Sequence, residues 1–439
     1  MRYAIVGFGC GGYQAAKEIR CLDPDGEICV FNEHSEAPYN PMLTTYYVSG
    51  KLKREGAFPF GDLDRIQREL KLKIESETCV KHINGKKRSI ILEDGREEIF
   101  DRILIATGAR AWAPHIEGLD PEKAFFMRTM EDADQLKKRI EVSAPKKAIV
   151  VGASMVGIKV VELLRARGAK VLLADLAPRI FPLAAYEQVS HEIEKRVKDQ
   201  GVSLAFGCSI ASVEERGTIF GCTLTDGQHY DADLIVLCIG TRANTGVVDP
   251  KEIQVDRGIL VNEQMETSCA GIYAAGDCCQ GREMQTGKQQ IIGLWANAGH
   301  QGGTAGHNMA KGTGNYDGNI LHNITHFMGM DFIGLGDCRR EGKVLTFGNL
   351  DSGELYIQAV IDQGNLAGVN ILDNYRISGL VKNYFYELLT YGKRTGPISS
   401  LQRGLLVKEG IRPSFLRKLE AELNVDEVEE KKERRSQNE

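Results

Sequence analysis

Two sets of glycines carry the clearest chemical signal in this sequence, because each set directly follows a short apolar strand. In the first set, Gly7, Gly9 and Gly12 lie between a predicted strand at residues 3–6 and a predicted helix at residues 13–20. Glycines at this spacing let the chain turn tightly, approach a phosphate closely and pack the helix on the strand. The amides at the start of the helix attract an anion. The pattern predicts a site for the pyrophosphate of a dinucleotide.

The second set repeats the same unit later in the chain. Gly152, Ser154 and Gly157 lie between a predicted strand at residues 147–151 and a predicted helix at residues 158–167. Serine at the middle position still allows close approach of a ligand, although it adds a side chain. Because chance repetition of the whole unit is improbable, the sequence predicts two dinucleotide sites.

In each repeat of strand, glycine turn and helix, an acidic residue follows the second strand. Glu33 ends the first unit and Asp175 ends the second, and an acid at this position accepts hydrogen bonds from an adenosine ribose. The Asp175 carboxylate would repel a 2′-phosphate, which predicts a preference for NADH over NADPH. Arg179 could bind such a phosphate, and its alternative interpretation is a solvated loop charge.

Length and composition limit the class of protein. The 439 residues suggest two or three domains, and 42% hydrophobic with 26% charged residues is ordinary for a globular protein. A net charge of −5 without a basic cluster argues against nucleic acid as the main partner. No signal peptide or membrane span is predicted, and the eleven cysteines show no metal-ligand spacing. We expect a reduced, cytoplasmic protein with no metal site.

Four further segments, together with the glycine turns, resemble the pyridine nucleotide-disulfide oxidoreductase superfamily. Residues 103–110 (ILIATGAR) and 235–244 (IVLCIGTRAN) resemble its two chain crossovers. Residues 267–277 (TSCAGIYAAGD) resemble the segment whose last aspartate holds FAD, and residues 294–310 resemble the helix that follows it. The similarity is closest to the branch of NADH oxidases, nitrite reductase flavin subunits and rubredoxin reductases.

This resemblance implies an α/β fold with two nested Rossmann-like dinucleotide-binding domains and a C-terminal α+β domain. The FAD-binding domain would comprise residues 1–112 and 243–318, and the NAD-binding domain residues 113–242. Residues 319–439 would form a C-terminal interface or dimerisation domain with a charged tail from about residue 424. Within it, short apolar runs alternate with turn residues over residues 327–369, which predicts an antiparallel sheet.

The same resemblance implies a set of contacts for each nucleotide. The FAD contacts would be Gly7, Gly9, Cys10, Gly11, Gly12, Glu33, Thr45, Val80, Ala106, Thr107, Gly108, Gly276, Asp277 and Trp295. The nicotinamide nucleotide contacts would be Gly152, Ser154, Met155, Val156, Gly157, Asp175 and Gly240. The N-terminal end of the helix at residues 294–310 would stabilise the negative charge of the reduced flavin.

The chain departs from the family where relatives carry redox-active cysteines. Residues 38–52 (PYNPMLTTYYVSGKL) occupy that stretch, with Met42 closest to the usual single cysteine. Without a thiolate, disulfide and sulfenate chemistry lose their mechanism. Thr45 is the one candidate catalytic residue, through a hydrogen bond to the flavin N5 or the nicotinamide, and helix capping or packing is its alternative. The adjacent Cys278 and Cys279 could cycle as a disulfide, but packing is the more common role of buried cysteines.

The sequence thus predicts an FAD-dependent NAD(P)H oxidoreductase that transfers a hydride from NADH to the flavin N5. Electrons would then pass to a rubredoxin- or ferredoxin-type protein, to a partner subunit or to a small acceptor. A homodimer or hetero-oligomer is expected. The alternative is an assembly or signalling flavoprotein whose oligomeric state responds to nucleotide binding.

Overall fold

The computed structural model describes residues 1–310 and 312–424, which form two compact units. The first unit contains Met1–His115, Asp120–Pro145 and Val236–Asn319. The second contains Ile116–Leu119, Lys146–Ile235 and the described residues from Ile320 onwards. The charged tail predicted from about residue 424 lies outside the described residues.

Strands and helices alternate over most of the chain. In chain order the strands are β1 (Arg2–Val6), β2 (Glu27–Phe31), β3 (Leu72–Glu75), β4 (Val80–Asn84), β5 (Ser89–Leu92), β6 (Glu97–Ile99), β7 (Arg102–Ile105), β8 (Ala109–Ala111), β9 (Lys147–Val151), β10 (Lys170–Asp175), β11 (Ser203–Phe206), β12 (Ile210–Arg216), β13 (Ile219–Leu224), β14 (His229–Ala232), β15 (Leu234–Leu237), β16 (Thr241–Ala243), β17 (Ile259–Leu260), β18 (Ile272–Ala274), β19 (Cys279–Arg282), β20 (Gln289–Gln290), β21 (His322–Phe327), β22 (Met330–Gly336), β23 (Lys343–Phe347), β24 (Tyr356–Asp362) and β25 (Asn365–Leu372). The α-helices are α1 (Cys10–Leu22), α2 (Thr44–Ser49), α3 (Leu63–Leu70), α4 (Met130–Ser143), α5 (Met155–Ala166), α6 (Glu187–Asp199), α7 (Trp295–Ala310), α8 (Ser378–Tyr391), α9 (Ser400–Lys408) and α10 (Pro413–Glu422).

A parallel sheet of five strands organises the first unit. Its order is β18-β7-β1-β2-β3, and every neighbouring pair is parallel. Tyr3, Ala4 and Ile5 of the central β1 are fully buried, as expected for a parallel strand covered on both faces. Helix α1 connects β1 to β2, so the first glycine turn lies at the carboxyl end of the central strand, where α/β sheets bind ligands.

A second sheet, with the order β11-β10-β9-β15, carries the second glycine turn. Strands β9, β10 and β11 pair in parallel, and Ala148, Ile149 and Val150 of β9 are fully buried. A small antiparallel sheet, β12-β13-β14, follows in the chain. Both predicted repeats of strand, glycine turn, helix and strand are therefore present.

The C-terminal region contains an antiparallel sheet of five strands in the order β21-β22-β25-β24-β23. Phe327, Phe332 and Phe385 fill its core and are fully buried. Helices α8, α9 and α10 follow the sheet. Two parallel sheets with glycine turns and a C-terminal α+β region confirm the predicted α/β fold class. Among the helices described, none combines the length and apolar character needed to cross a membrane.

The compact units do not have the bounds of the three predicted domains. Residues 120–145 and 236–242 belong to the first unit, and the residues from 320 onwards share the second unit with residues 146–235. Helix α4 is in the first unit because it packs on α2, where the Tyr47 hydroxyl donates a hydrogen bond of 2.7 Å to Asp134. The three-domain division by ligand stays a prediction.

Candidate functional site

The first glycine turn leaves an open space at the start of α1. Gly7 has a φ of +93°, and a Cβ there would lie 2.4 Å from the carbonyl oxygen of Ala106. A Cβ on Gly12 would lie 2.3 Å from the carbonyl oxygen of Gly7. Gly9, in contrast, has no atom within 4 Å of its Cβ position and precedes α1 without a side-chain cap. Gly7 and Gly12 thus permit close packing, while Gly9 leaves the helix amides open to an anion.

The predicted crossover residues lie beside this turn. The Thr107 hydroxyl donates a hydrogen bond of 2.6 Å to the backbone carbonyl of Asn244, and the Asn244 side-chain amide donates one of 3.0 Å to the carbonyl of Thr107. Gly108 has a φ of +65° and open space at its Cβ position. These bonds hold the two crossovers together and keep the backbone at residues 106–108 accessible to a ligand.

Asp277, the predicted FAD-binding aspartate, forms an ion pair with a residue that the sequence argument missed. The Arg128 guanidinium donates a hydrogen bond of 2.7 Å to the Asp277 carboxylate and one of 3.0 Å to the carbonyl oxygen of Ala109. Both side chains are largely buried, with exposed fractions of 24% for Arg128 and 15% for Asp277. Arg128 therefore adds a fixed positive charge to the predicted FAD site.

A capping box places Arg128 at the start of α4. The Asp132 carboxylate accepts hydrogen bonds from the backbone amides of Arg128 and Thr129, and the Thr129 hydroxyl accepts one from the amide of Asp132. The T-x-x-D spacing of a capping box is visible in the sequence. It could have marked the helix start, but it does not show that the preceding arginine reaches Asp277.

An aromatic stack lies at the N-terminal end of α7. Trp295 stacks on Phe60 with ring centroids 5.6 Å apart, and Phe60 stacks on Tyr13 at 4.0 Å. The indole nitrogen of Trp295 is buried and has no hydrogen-bond partner among the described residues. A buried donor without an acceptor indicates a place where a polar ligand atom fits.

Helix α7 approaches α1 closely because glycines face it. A Cβ on Gly302 would lie 2.1 Å from the carbonyl oxygen of Gly11, and one on Gly306 would lie 2.5 Å from the carbonyl oxygen of Ala15. Gly11 belongs to the first glycine turn. The contact therefore fixes the turn and the start of α7 in one rigid arrangement.

The remaining predicted FAD residues belong to the same unit. Glu33 is exposed just beyond the end of β2, Val80 begins β4, and Gly276 precedes Asp277 with a φ of +85°. Cys10 is buried in the first turn of α1. The open turn at Gly9, the bare backbone at Gly108 and the unpartnered Trp295 nitrogen fit an FAD molecule, whose ring, hydroxyl and pyrophosphate groups require such surfaces.

In the second unit, Asp175 is bound to the second glycine turn. Its carboxylate accepts a hydrogen bond of 2.6 Å from the amide of Ala153 and one of 2.8 Å from the amide of Ala177. Gly152 has a φ of +112°, and Ser154 caps α5 by accepting from the amide of Gly157 at 3.2 Å. Asp175 thus has a fixed position at the edge of the turn.

The other predicted nicotinamide contacts lie in two places. Met155 and Val156 begin α5, and the Val156 side chain is 40% exposed. Gly240 belongs to the first unit, where its φ is +100° and its Cβ position is open. The Arg179 guanidinium is half-buried and donates a long hydrogen bond of 3.5 Å to the carbonyl of Pro182. Arg179 is thus turned towards its own loop.

The stretch at residues 38–52, which contains no cysteine, is firmly held. Met42 lies in a short 3-10 helix and is 57% exposed, whereas Thr45 in α2 is buried, with 6% of its surface exposed. The Arg54 guanidinium forms ion pairs with Glu36 at 3.0 Å and with Asp134 at 3.2 Å. Because Asp134 belongs to α4, these ion pairs connect this stretch to that helix.

All eleven cysteines lie within the described residues, and all are free thiols. Burial raises the pKa of Cys10 to about 11. A hydrogen bond with Cys278, together with burial, holds the pKa of Cys279 well above its ordinary value. Across the described residues, no group of three or more His, Cys, Asp or Glu side chains is arranged to hold a metal ion.

Comparisons with known proteins agree with this geometry. The family model of the pyridine nucleotide-disulphide oxidoreductases matches residues 1–302. The chain is 30% identical over 315 residues to an NADH oxidase of Methanocaldococcus jannaschii, which covers 71% of this chain and 70% of that protein. It is 28% identical to the epsilon subunit of an NADH-dependent phenylglyoxylate dehydrogenase of Aromatoleum evansii, over 84% of this chain and 87% of the subunit.

A solved structure extends the agreement in fold to the C-terminal region. The water-forming NADH oxidase from Lactobacillus brevis superposes with a TM-score of 0.83 at 21% identity, covering 99% of both chains. The family match itself covers more than half of this chain. The chain therefore belongs to the pyridine nucleotide-disulphide oxidoreductase family, whose members are flavin enzymes that use NAD(P)H.

Proposed function

We propose that this protein is a flavoprotein reductase that takes a hydride from NADH and delivers electrons from FAD to an acceptor protein, without a redox-active thiol. The observation that carries the proposal is the open glycine turn at Gly9 in one compact unit, together with the second glycine turn that binds Asp175 in the other unit. The exposed Met42 stands at the position that the sequence prediction assigns to the redox cysteine. The first turn would hold FAD and the second NADH.

Several side chains of the first unit would hold FAD. The amides at the start of α1 would bind the pyrophosphate, and Glu33 the adenosine ribose. Arg128 and Asp277, which form an ion pair at 2.7 Å, would offer one hydrogen-bond donor and one acceptor to the ribityl chain of FAD. The Trp295 indole donor would bind a polar atom of the cofactor. When bound, FAD supplies a ring that accepts the hydride and later releases electrons.

Asp175 supports NADH as the donor. Its carboxylate is held by two backbone amides at the edge of the second turn, so it cannot swing away without losing both bonds. A fixed negative charge there binds a ribose hydroxyl and repels a 2′-phosphate. Arg179 donates one long hydrogen bond of 3.5 Å within its own loop, and its buried Nε has no partner among the described residues, so Arg179 supports neither nucleotide over the other.

Cys10 and Cys279 are poorly suited to carrying electrons as thiolates. Only thiolates react as nucleophiles, and a pKa of about 11 keeps Cys10 protonated at neutral pH. Cys279 is buried with a raised pKa, and its hydrogen bond with Cys278 lowers the pKa of Cys278, which is fully buried. The chain's residues would then orient the two nucleotides and exclude water, while no side chain needs to take up electrons.

A protein acceptor is supported by the relatives. The epsilon subunit of the phenylglyoxylate dehydrogenase matches this chain over most of its length, and its name makes it one subunit of an NADH-dependent enzyme. The rubredoxin-NAD(+) reductase of Acinetobacter baylyi matches 63% of this chain. One kind of relative is named for a protein partner, rubredoxin, and the other belongs to an enzyme of several subunits, and we propose that this chain also passes electrons to another protein.

An anaerobic titration with NADH tests the proposal. If FAD is the sole electron store, one NADH per FAD bleaches the flavin completely, and the double variant Cys278→Ser/Cys279→Ser gives the same endpoint. A requirement for two NADH per FAD, falling to one in the double variant, would show that the cysteine pair takes electrons and would overturn the thiol-free mechanism. No bleaching would overturn the reductase assignment itself.

A further inference from the structure

Helix α7 carries two buried amide side chains on one face. Asn297 and Gln301 are four residues apart, so they lie one turn apart on the same side of the helix, and each is only 1% exposed. Neither was assigned a role from the sequence. Burying a polar group is costly unless it is hydrogen-bonded, so the bonds of these two side chains indicate what this face of α7 does.

The Gln301 side chain binds the turn that carries Asp277. Its Oε1 accepts a hydrogen bond of 2.8 Å from the backbone amide of Gly276, the residue directly before Asp277. Gly281 leaves room for this side chain, because a Cβ there would lie 2.5 Å from the Gln301 Nε2. All of these residues belong to the first unit. Gln301 therefore connects α7 to the backbone beside Asp277.

The adjacent pair of buried cysteines holds the same turn. The Cys278 thiol lies 3.3 Å from the carbonyl oxygen of Ile105. The Cys279 thiol lies 3.4 Å from the carbonyl oxygen of Gly276 and 3.7 Å from the Gln301 Oε1. A thiol is a weak hydrogen-bond donor, and these distances suit such bonds. The turn thus has two thiol contacts in addition to its bond with Gln301.

Asn297 fixes the start of α7. Its Oδ1 accepts hydrogen bonds of 2.7 Å from the Tyr316 hydroxyl and 2.8 Å from the Asn319 side-chain amide. Its own amide donates a bond of 3.0 Å to the carbonyl of Ile292, which precedes the helix. Trp295, with its buried and unpartnered indole nitrogen, begins the same helix. The first turn of α7 cannot shift without breaking these three bonds.

Three features of the predicted FAD site therefore meet on α7. Trp295 begins the helix, and Gly302 packs closely on Gly11 of the first glycine turn. Gln301, next to Gly302, binds the amide that precedes Asp277. Because Asn297 and Gly302 fix the helix itself, the bond from Gln301 determines where the Asp277 turn lies relative to the other two features.

We propose that Gln301 is a positioning residue for FAD binding, which acts by holding the Gly276 amide and thereby the place of the Asp277 carboxylate. The inference rests on the part of the proposed function that places FAD in the first unit. It does not depend on hydride transfer. The cysteine pair has a supporting part in the same turn, as packing and weak hydrogen-bonding groups.

The dissociation constant of FAD, measured by equilibrium dialysis without NADH, tests this proposal. Gln301→Met keeps an unbranched side chain of similar size and removes the acceptor, whereas Gln301→Glu keeps an acceptor oxygen of the same reach. The matched control is Gln280→Met. Gln280 is 4% exposed in the same unit, and its Oε1 accepts hydrogen bonds of 2.9 Å from the amides of Arg257 and Gly258. The control therefore removes bonds of the same kind that do not involve the Asp277 turn.

We expect Gln301→Met to weaken FAD binding about tenfold or more, because the buried Gly276 amide loses its acceptor and the turn is no longer held. Gln301→Glu should have an affinity between those of wild type and Gln301→Met. Gln280→Met should change FAD binding less than about twofold, although it should lower the urea unfolding midpoint. At saturating FAD, the visible circular dichroism of the flavin should change in Gln301→Met and stay unchanged in Gln280→Met.

Three results would overturn the proposal. The first is an equal FAD dissociation constant in wild type and Gln301→Met. The second is an equal loss of FAD affinity in Gln301→Met and Gln280→Met, which would show that reduced stability alone explains the effect. The third is Gln301→Glu that binds FAD no better than Gln301→Met. Wild-type protein that binds no FAD would contradict the proposed function itself, whereas bound FAD that NADH does not bleach would contradict hydride transfer and leave this inference standing.

Discussion

Replacing Gly302 by alanine should loosen the contact between α7 and the first glycine turn. The new Cβ would lie 2.1 Å from the carbonyl oxygen of Gly11, whereas ordinary contacts of this kind are 3.4–4 Å. The opposing atom is backbone, so it cannot rotate away, and the helices must separate by more than about 1 Å. Overpacking of this kind costs about 1–3 kcal/mol of unfolding free energy.

The neighbouring Gly303 provides the matched control. Its Cβ position has no atom within 4 Å, so alanine there meets no neighbour and gains about 1 kcal/mol of helix propensity. Alanine at Gly302 gains the same helix propensity, so the two variants should differ by the overpacking cost alone, about 1–3 kcal/mol in the stability of the first unit. Urea unfolding, followed by the rise in flavin fluorescence on FAD release, measures this difference. Equal midpoints for Gly302→Ala and Gly303→Ala would refute the argument that α7 and the turn form one rigid arrangement.

Three other predictions test separate parts of the account. Asp175→Ala should raise the ratio of kcat/KM for NADPH over NADH about tenfold, because it removes a charge facing the 2′-phosphate, and an unchanged ratio in steady-state kinetics would contradict that role. Arg128→Ala should weaken FAD binding about tenfold, since Asp277 loses its ion pair, as measured by FAD titration of the apoprotein; an unchanged dissociation constant would show that Arg128 is dispensable. Burial lowers the pKa of folded His322 from 6.5 to about 4. Between about pH 6.5 and 4, His322 is therefore protonated in the unfolded chain but not in the folded chain. The unfolding free energy should fall as the pH is lowered through this range. His322→Gln should flatten that dependence in urea unfolding at a series of pH values, and identical slopes would contradict it.

Local patterns made most of the fold predictable. The apolar strands and the glycine turns are short-range signals, so β1 and β9 agree with the sequence prediction to within a residue. Helix α1 begins at Cys10 rather than at residue 13, because Gly11 and Gly12 form its first turn against the backbone of Gly7 and α7. Glycine disfavours helix in isolation, and packing overrides that preference here.

The site was less predictable where partners are far apart in sequence. Arg128 and Asp277 are separated by 149 residues, and no local pattern links them. The same holds for the stack of Phe60 on Trp295.

Hydride transfer from NADH to FAD is tested most directly by anaerobic rapid mixing of the FAD-loaded protein with NADH, compared with NADH that carries deuterium at the transferred C4 position. We predict that the flavin absorbance is bleached within a catalytic turnover and that bleaching is slower with deuterated NADH, because the C4–H bond breaks in that step. Absence of bleaching with FAD bound, or bleaching by NADPH faster than by NADH at equal concentration, would contradict it.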